Sequence, residues 1–241
     1  MTDITENELE PLRRAFAPLV GLRITWLSIP GGALVGFEPS QIAVIVNTLL
    51  DGILPQIQFL ASDQENAARL ASIGLSKAPG VIGQRETYPD YVHVSGCRVE
   101  LKGLFVDNPE LALKRPLTDR EPSARIKENV TMDVIDPAND ALLVAAVQLR
   151  PDEAGHCSPY VTDIGVFSMV ECVRARDASL AERGGRWITG VPKVVKKSSM
   201  GKLKARKRLR NSDFEKDTNF GKLKRIPYPP LQDFMCKHGA I

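Results

Sequence analysis

Three residues of opposite charge, closely spaced, carry the chemistry that this sequence offers. In YPDYVHVSGCRVELKGLF, residues 88–105, a Pro-Asp pair precedes two short apolar runs, and Glu100 and Lys102 are set into the second. A strand alternates its side chains between faces, so Val99 and Leu101 share one face and Glu100 and Lys102 the other. Ser95-Gly96 supplies a turn that folds residues 90–94 back against this strand as a hairpin. Asp90 and Glu100 lie at similar distances from that turn, so the hairpin brings them together beside Lys102. Two carboxylates and a main-chain carbonyl such as that of Leu101 make a hard oxygen site suited to Mg²⁺, with positions left for water and phosphate. A lysine next to such a site is placed to position or deprotonate a water. The parts for metal-dependent phosphodiester hydrolysis are present. The competing reading is an amphipathic edge hairpin whose outer face carries a Glu-Lys pair worth about 0–1 kcal/mol. Against it, the two charges interrupt an otherwise apolar run, and Gly103 lets a backbone or ligand approach.

The elements that must position this hairpin change character along the chain. TENELEPLRRAFAPLV, residues 5–20, reads as a short helix with Thr5 as N-cap and Pro11 and Pro18 limiting it. GLRITWLSI suits a strand. An apolar helix is expected from Pro39-Ser40 to about Phe59, then a Ser62-capped helix closing near Gly74. Residues 91–94, 98–106, 130–135, 141–149 and 161–173 are β-branched and aliphatic runs separated by turn residues, which is strand chemistry. DASLAERGGRW reads as a helix ending at Gly184-Gly185. The expected fold is α/β: a mixed central β-sheet flanked by helices, with a helical N-terminal part and a basic C-terminal lobe. The core is assigned to residues 1–192 and the lobe, packing on it and contacting DNA, to 193–241.

YPDY…VELKG resembles the active-site signature of the PD-(D/E)XK nuclease superfamily. The resemblance implies a restriction-endonuclease-like core, with Asp90 and Glu100 as metal ligands and Lys102 orienting the water. It adds an acidic residue from a preceding segment, for which Glu86 is the nearest candidate. A chain of 241 residues with no G-x-x-x-x-G-K-[ST] motif is most similar to a type II restriction endonuclease, with no nucleotide cofactor expected. That implies a homodimer acting on double-stranded DNA, because two-fold protein symmetry mirrors a palindromic site.

Charge distribution bears on the partner. Residues 193–225 hold 13 Lys and Arg against 3 Asp and Glu, a balance of +10. The remainder holds 19 against 26, or −7. A basic segment on an acidic body calls for a polyanion, and phosphate backbone is its expected target. Lys196, Lys197, Lys202, Lys204 and Arg206 are its candidate contacts. The polar loop 114–129 adds Arg115, Arg120, Arg125, Lys127 and Asn129, suited to base edges or phosphates. Four scattered cysteines form no CxxC pair, so reduced thiols rather than a zinc site are expected. Neither G-x-S-x-G nor H-x-x-x-H occurs, which removes serine-hydrolase and zinc-hydrolase readings. His93 reads as a packed or surface residue, and Trp26 and Trp187 as core anchors. The N-terminus lacks a signal layout and no apolar run spans a bilayer, so a soluble, cytoplasmic protein without membrane contact is expected. Two other functions remain open: a non-catalytic nucleic-acid-binding protein, and a repair nuclease that recognises DNA structure.

Overall fold

A computed structural model describes residues 3–24, 28–36, 41, 44–45, 48, 64–82, 87–111 and 122–240. Its centre is a six-stranded mixed sheet in the order β1-β6-β5-β4-β3-β2. The strands are β1 (Ile29–Pro30), β2 (Leu75–Lys77), β3 (Tyr91–His93), β4 (Arg98–Phe105), β5 (Asp140–Pro151) and β6 (His156–Ser168). Only β4 and β5 run parallel; the other neighbours are antiparallel. DALLVAAVQLRP, whose Ala and Leu suit a helix by propensity, is the buried central strand β5. Burial on both faces explains it, since a strand covered on both sides is selected for apolar fit rather than alternation.

The two faces of β5 serve two cores. Ala141, Leu143, Ala145, Val147 and Leu149 join a cluster with Val99, Tyr91 and the α1 stripe Leu9, Leu12 and Phe16. Leu142, Val144 and Ala146 join Leu104 and the residues of α3 and α5 on the other side. Here α1 spans Glu6–Phe16, α2 Gln64–Ser72, α3 Met169–Glu182, α4 Met200–Lys204 and α5 Pro229–Lys237. At the start of α1 the Glu8 carboxylate accepts from the Thr5 N–H and hydroxyl, both at 2.7 Å. The helix passes at Ala17–Leu19 into a 3₁₀ turn, where Pro18 ends its regularity. Arg13 ties it to β6 by donating to the Val166 carbonyl at 3.0 Å.

Several sequence expectations need correction. Residues 130–135 are turns, with the Thr131 carbonyl accepting from Val134 N at 3.0 Å and Ile135 N at 3.2 Å. Val130 and Ile135 are buried as single pegs from a loop, so apolar character there marks core contact and not a strand. The run 161–173 divides at Ser168, whose hydroxyl accepts from Glu171 N at 3.4 Å and starts α3. The Ser-x-x-Glu spacing announces that cap, so α3 begins well before Asp177. It ends as expected at Gly184, where φ is +70°. The strand expected over 21–29 is confined to an Arg23–Tyr160 bridge and β1, residues 25–27 lying outside the described set. Most of the apolar helix expected to Phe59 also lies outside it, as does Ser62.

A second sheet, β7 (Arg186–Ile188), β8 (Val191–Val195) and β9 (Phe214–Lys216), lies antiparallel in that order. Thr189 and Gly190, with φ of 52° and 72°, form the two-residue turn between β7 and β8. Its small core is Ile188, Val195 and Phe214 with Met200, Leu203 and Leu209 against it. The boundary expected between residues 192 and 193 falls inside β8. Leu223, Ile226, Leu231, Phe234 and Met235 return to the large sheet, so only the middle of the basic stretch forms the separate layer. Among the described residues no helix is long and apolar enough to cross a membrane.

Candidate active site

The hairpin forms with the expected turn. Tyr91 pairs with Val99 and Val92 with Arg98. His93 N donates to the Cys97 carbonyl at 2.8 Å, and Gly96 takes a φ of +87° that favours glycine. Asp90, immediately before β3, is thereby carried to β4, where its Oδ2 accepts from the Leu101 N–H at 3.0 Å. Lys102 Nζ lies 2.5 Å from Glu100 Oε1 and 3.7 Å from Asp90 Oδ2. One ammonium therefore serves two carboxyl groups.

Burial grades across the trio. The Glu100 side chain is 4% exposed, Lys102 15% and Asp90 21%. Glu100 and Lys102 are in register with Leu142 and Val144 of β5, on the face that otherwise holds apolar residues. The Glu100 Oε2 atom is buried without a hydrogen-bond partner. Desolvation pushes the Glu100 carboxyl above its usual range; Lys102 opposes this and Asp90 adds to it. A buried carboxylate oxygen left unsatisfied costs free energy unless a ligand completes it.

The donors present fit a small hard cation. Mg²⁺ is held by one or two protein carboxylates and keeps several waters, and Asp90 and Glu100 supply that pair. Among the described residues no group of three or more His, Cys, Asp or Glu side chains stands together. Glu86 lies outside the described residues. The Leu101 main chain enters the site through its N–H, which holds Asp90 in place.

No family model, curated protein or solved structure matches this chain.

A buried network that the sequence did not reveal supports the trio from below. Arg98 and Asp140 are register partners at the start of the parallel β4–β5 pair. Arg98 Nε and Nη2 each stand 2.5 Å from an Asp140 oxygen, and Nη2 also donates to the Val134 carbonyl at 2.9 Å. The Tyr88 hydroxyl donates to Asp140 Oδ2 at 2.5 Å, and Asp136 N donates to the same oxygen at 2.9 Å. Burial, and next the Asp140 charge, push the Tyr88 phenol far above its usual range, so it remains a donor. Tyr88 stands two residues before Asp90, so this network anchors the segment that delivers the first carboxylate. Its signal is absent from the sequence because 42 residues separate Arg98 from Asp140.

The expected DNA contacts divide. Arg115 and Arg120 lie outside the described residues. Lys127 is half-buried and close enough for its charge to favour ionised Glu100, and its carbonyl accepts from Arg176 Nη1 at 3.0 Å. Arg125 is exposed and bridges to Lys222, while Asn129 is exposed in a turn. Lys196 donates to the Ser212 carbonyl at 2.8 Å, and Lys202 pairs with Asp213 at 2.6 Å. Those two cations hold the small layer together. Lys197, Lys204 and Arg206 are exposed. His93 packs edge-on against Phe16, with ring centres 5.5 Å apart. Trp187 meets Phe220 edge-on at 5.4 Å, and Trp26 lies outside the described residues.

Proposed function

We propose that this protein is a Mg²⁺-dependent endonuclease of the PD-(D/E)XK type that hydrolyses phosphodiester bonds in double-stranded DNA. The observation that carries the proposal is the meeting of Asp90, Glu100 and Lys102 in one patch, with a Glu100 oxygen buried and unpartnered. Asp90 and Glu100 would hold the ion, joined by the Leu101 carbonyl of the same strand. When bound, Mg²⁺ polarises a phosphate and makes a bound water more acidic.

The chain's own residues do the rest. Asp90 is oriented by the Leu101 N–H, so its second oxygen is available to a ligand. Lys102 favours the ionised form of Glu100 through Nζ, against the effect of burial, and reaches both carboxyl groups. Its ammonium protons orient a water by hydrogen bonding and offset negative charge growing on a phosphate. The apolar residues in register behind the charges restrict solvent and strengthen each of these interactions. The mixed sheet with one parallel pair beside the hairpin agrees with a restriction-endonuclease-like core. The finer form of the proposal is a homodimeric type II restriction enzyme, one protomer cutting each strand.

Purified protein incubated with long unmethylated linear DNA, in Mg²⁺ and in EDTA, tests this beside Lys102→Ala and Asp90→Asn. Discrete fragments that need Mg²⁺ are expected, with a loss of at least about 100-fold in each variant. Circular dichroism of both variants establishes that they fold. Cutting confined to branched or mismatched duplexes would reassign the enzyme to repair. Bound but uncut DNA of every form would leave a nucleic-acid-binding protein and overturn the nuclease. Sedimentation of the free protein and its DNA complex checks the dimer.

A further inference from the structure

In and just before the basic segment, a subset of cations surrounds a cleft that the charge count does not single out. The cleft has a volume of about 870 Å³ and is lined by Arg186, Lys207, Arg208 and Arg210, with Leu209 and Phe214 among its apolar walls. No Asp or Glu lines it. Three other cations are paired with carboxylates: Lys202 with Asp213 at 2.6 Å, Lys216 with Glu128 at 3.1 Å and, ahead of the segment, Arg183 with Asp217 at 3.0 Å. None of the four cleft cations has an ion-pair partner among the described residues.

The local structure maintains that imbalance. Asp213 follows Arg210 by three residues, but its Oδ1 accepts from Lys202 Nζ at 2.6 Å and the Ser199 hydroxyl at 2.8 Å. Its Oδ2 accepts from Arg210 N at 2.8 Å, so both oxygens are consumed by main chain and neighbours. The Lys202 bond, with the others, holds the Asp213 carboxyl far below the usual range. Arg186 is fixed by neutral groups instead: its guanidinium lies 4.4 Å over the Phe214 ring and donates to Asn211 Oδ1 at 3.2 Å. Such a cation is positioned without losing its charge. After α4 the chain turns through Arg206, and Lys207 N donates to the Lys202 carbonyl at 2.9 Å, which delivers residues 207–210 to the cleft. The opposite wall is Gly184-Gly185. A Cβ on Gly185 would meet Leu180 Cδ1 at 2.4 Å and the Leu180 carbonyl oxygen at 2.7 Å, so this wall carries no side chain.

Guanidiniums bind phosphate through paired donors, and a cleft of this size takes more than one phosphate. The geometry points to this cleft as a backbone clamp that grips successive phosphates of duplex DNA away from the reacting position. The inference rests on DNA being the substrate proposed above, and it reassigns the clamp from Lys196 and Lys202 to Arg186, Lys207, Arg208 and Arg210. Base edges are not read here, so affinity at this site is independent of sequence and falls with salt.

The test measures binding of a fluorescent duplex by anisotropy in EDTA, across a salt series, so that no cleavage occurs. Arg208→Gln/Arg210→Gln is expected to bind at least about tenfold more weakly at low salt, with the log–log salt slope shallower by about 2. Arg208→Lys/Arg210→Lys keeps the charge and is expected to keep most of that slope. Arg14→Gln, on α1 and outside the cleft, is expected to change it little. Equal affinity and slope in wild type and the Arg208→Gln/Arg210→Gln variant would overturn the clamp while leaving the nuclease intact, since cleavage in Mg²⁺ is scored separately. Loss of binding in that variant with no wild-type cleavage would uphold the clamp and sink the nuclease. Wild type that binds no duplex, or that ATP displaces as readily as DNA, would also overturn the clamp. Melting temperatures of all variants show whether a loss reflects unfolding.

Discussion

At the scale of single residues, the site is an electrostatic compromise. Lys102 is the cation within 4 Å of both Asp90 and a nearly inaccessible Glu100, and Lys127 adds a weaker contribution at Glu100. Removing one member of a buried pair strands the other, so Lys102→Ala is expected to cost about 3 kcal/mol in metal-free protein near neutral pH. Adding Glu100→Gln should recover most of that cost, and urea melts of the single and double variants measure the coupling. Glu100 also sets a pH dependence. Its folded carboxyl titrates above the unfolded one, so the protonated form stabilises the fold at low pH. That contribution is lost as pH rises through the raised folded value. Metal-free Glu100→Gln is therefore expected to melt above wild type by a margin that widens through this window and then levels, read by calorimetry in a pH series. Cleavage should move oppositely, weakening as acid protonates the carboxylate that holds the ion. Asp140 is the other sensitive residue. Asp140→Ala leaves Arg98, the Tyr88 hydroxyl and Asp136 N without their shared acceptor and should cost about 3 kcal/mol or more by chemical denaturation.

At the scale of elements, the β3–β4 hairpin does the placing, and its turn, register and facing were legible in the sequence. Ser95-Gly96 sets the turn, the period of two puts Val99 opposite in facing to Glu100, and Asp90 meets β4 as counted from the turn. Short-range pattern failed where apolar residues serve as pegs. Val130 and Ile135 reach the core from turns, and the strand-like run after Val161 becomes α3 once Ser168 caps it. Gly221 is another point where an element depends on one residue. At φ +79°, a Cβ there would lie 1.9 Å from the Ile126 carbonyl oxygen. Gly221→Ala is expected to cost at least about 1–3 kcal/mol and to loosen the seam between residues 124–126 and 221–223, measured by urea melts and amide exchange of Ile126.

For the whole molecule, the sheet is covered on both faces, and the charged trio occupies the face shared with α3 and α5. A ligand that completes the site stabilises the entire fold by mass action. Mg²⁺ at about 100 times its dissociation constant should add roughly 2.7 kcal/mol, or about 5–11 °C in melting temperature for a chain of this length. Asp90→Asn and Glu100→Gln should both remove the shift. A melting curve unmoved by Mg²⁺ in wild type would count against a metal at this site, whatever DNA is present.

By itself, the sequence determined the hairpin and the convergence of Asp90, Glu100 and Lys102, because both depend on alternation and turn residues within about 15 positions, and the α/β class followed from its succession of helix-type and strand-type runs. The concentration of cations between residues 193 and 225 was equally plain, being a property of composition. Tertiary structure decided what those charges face. It paired Lys202 with Asp213 while leaving Arg208 and Arg210 without carboxylate partners, and it closed Arg98 onto Asp140 beneath the site. These outcomes depend on partners tens of residues away, brought near only when both faces of one sheet are buried, and no local pattern records them.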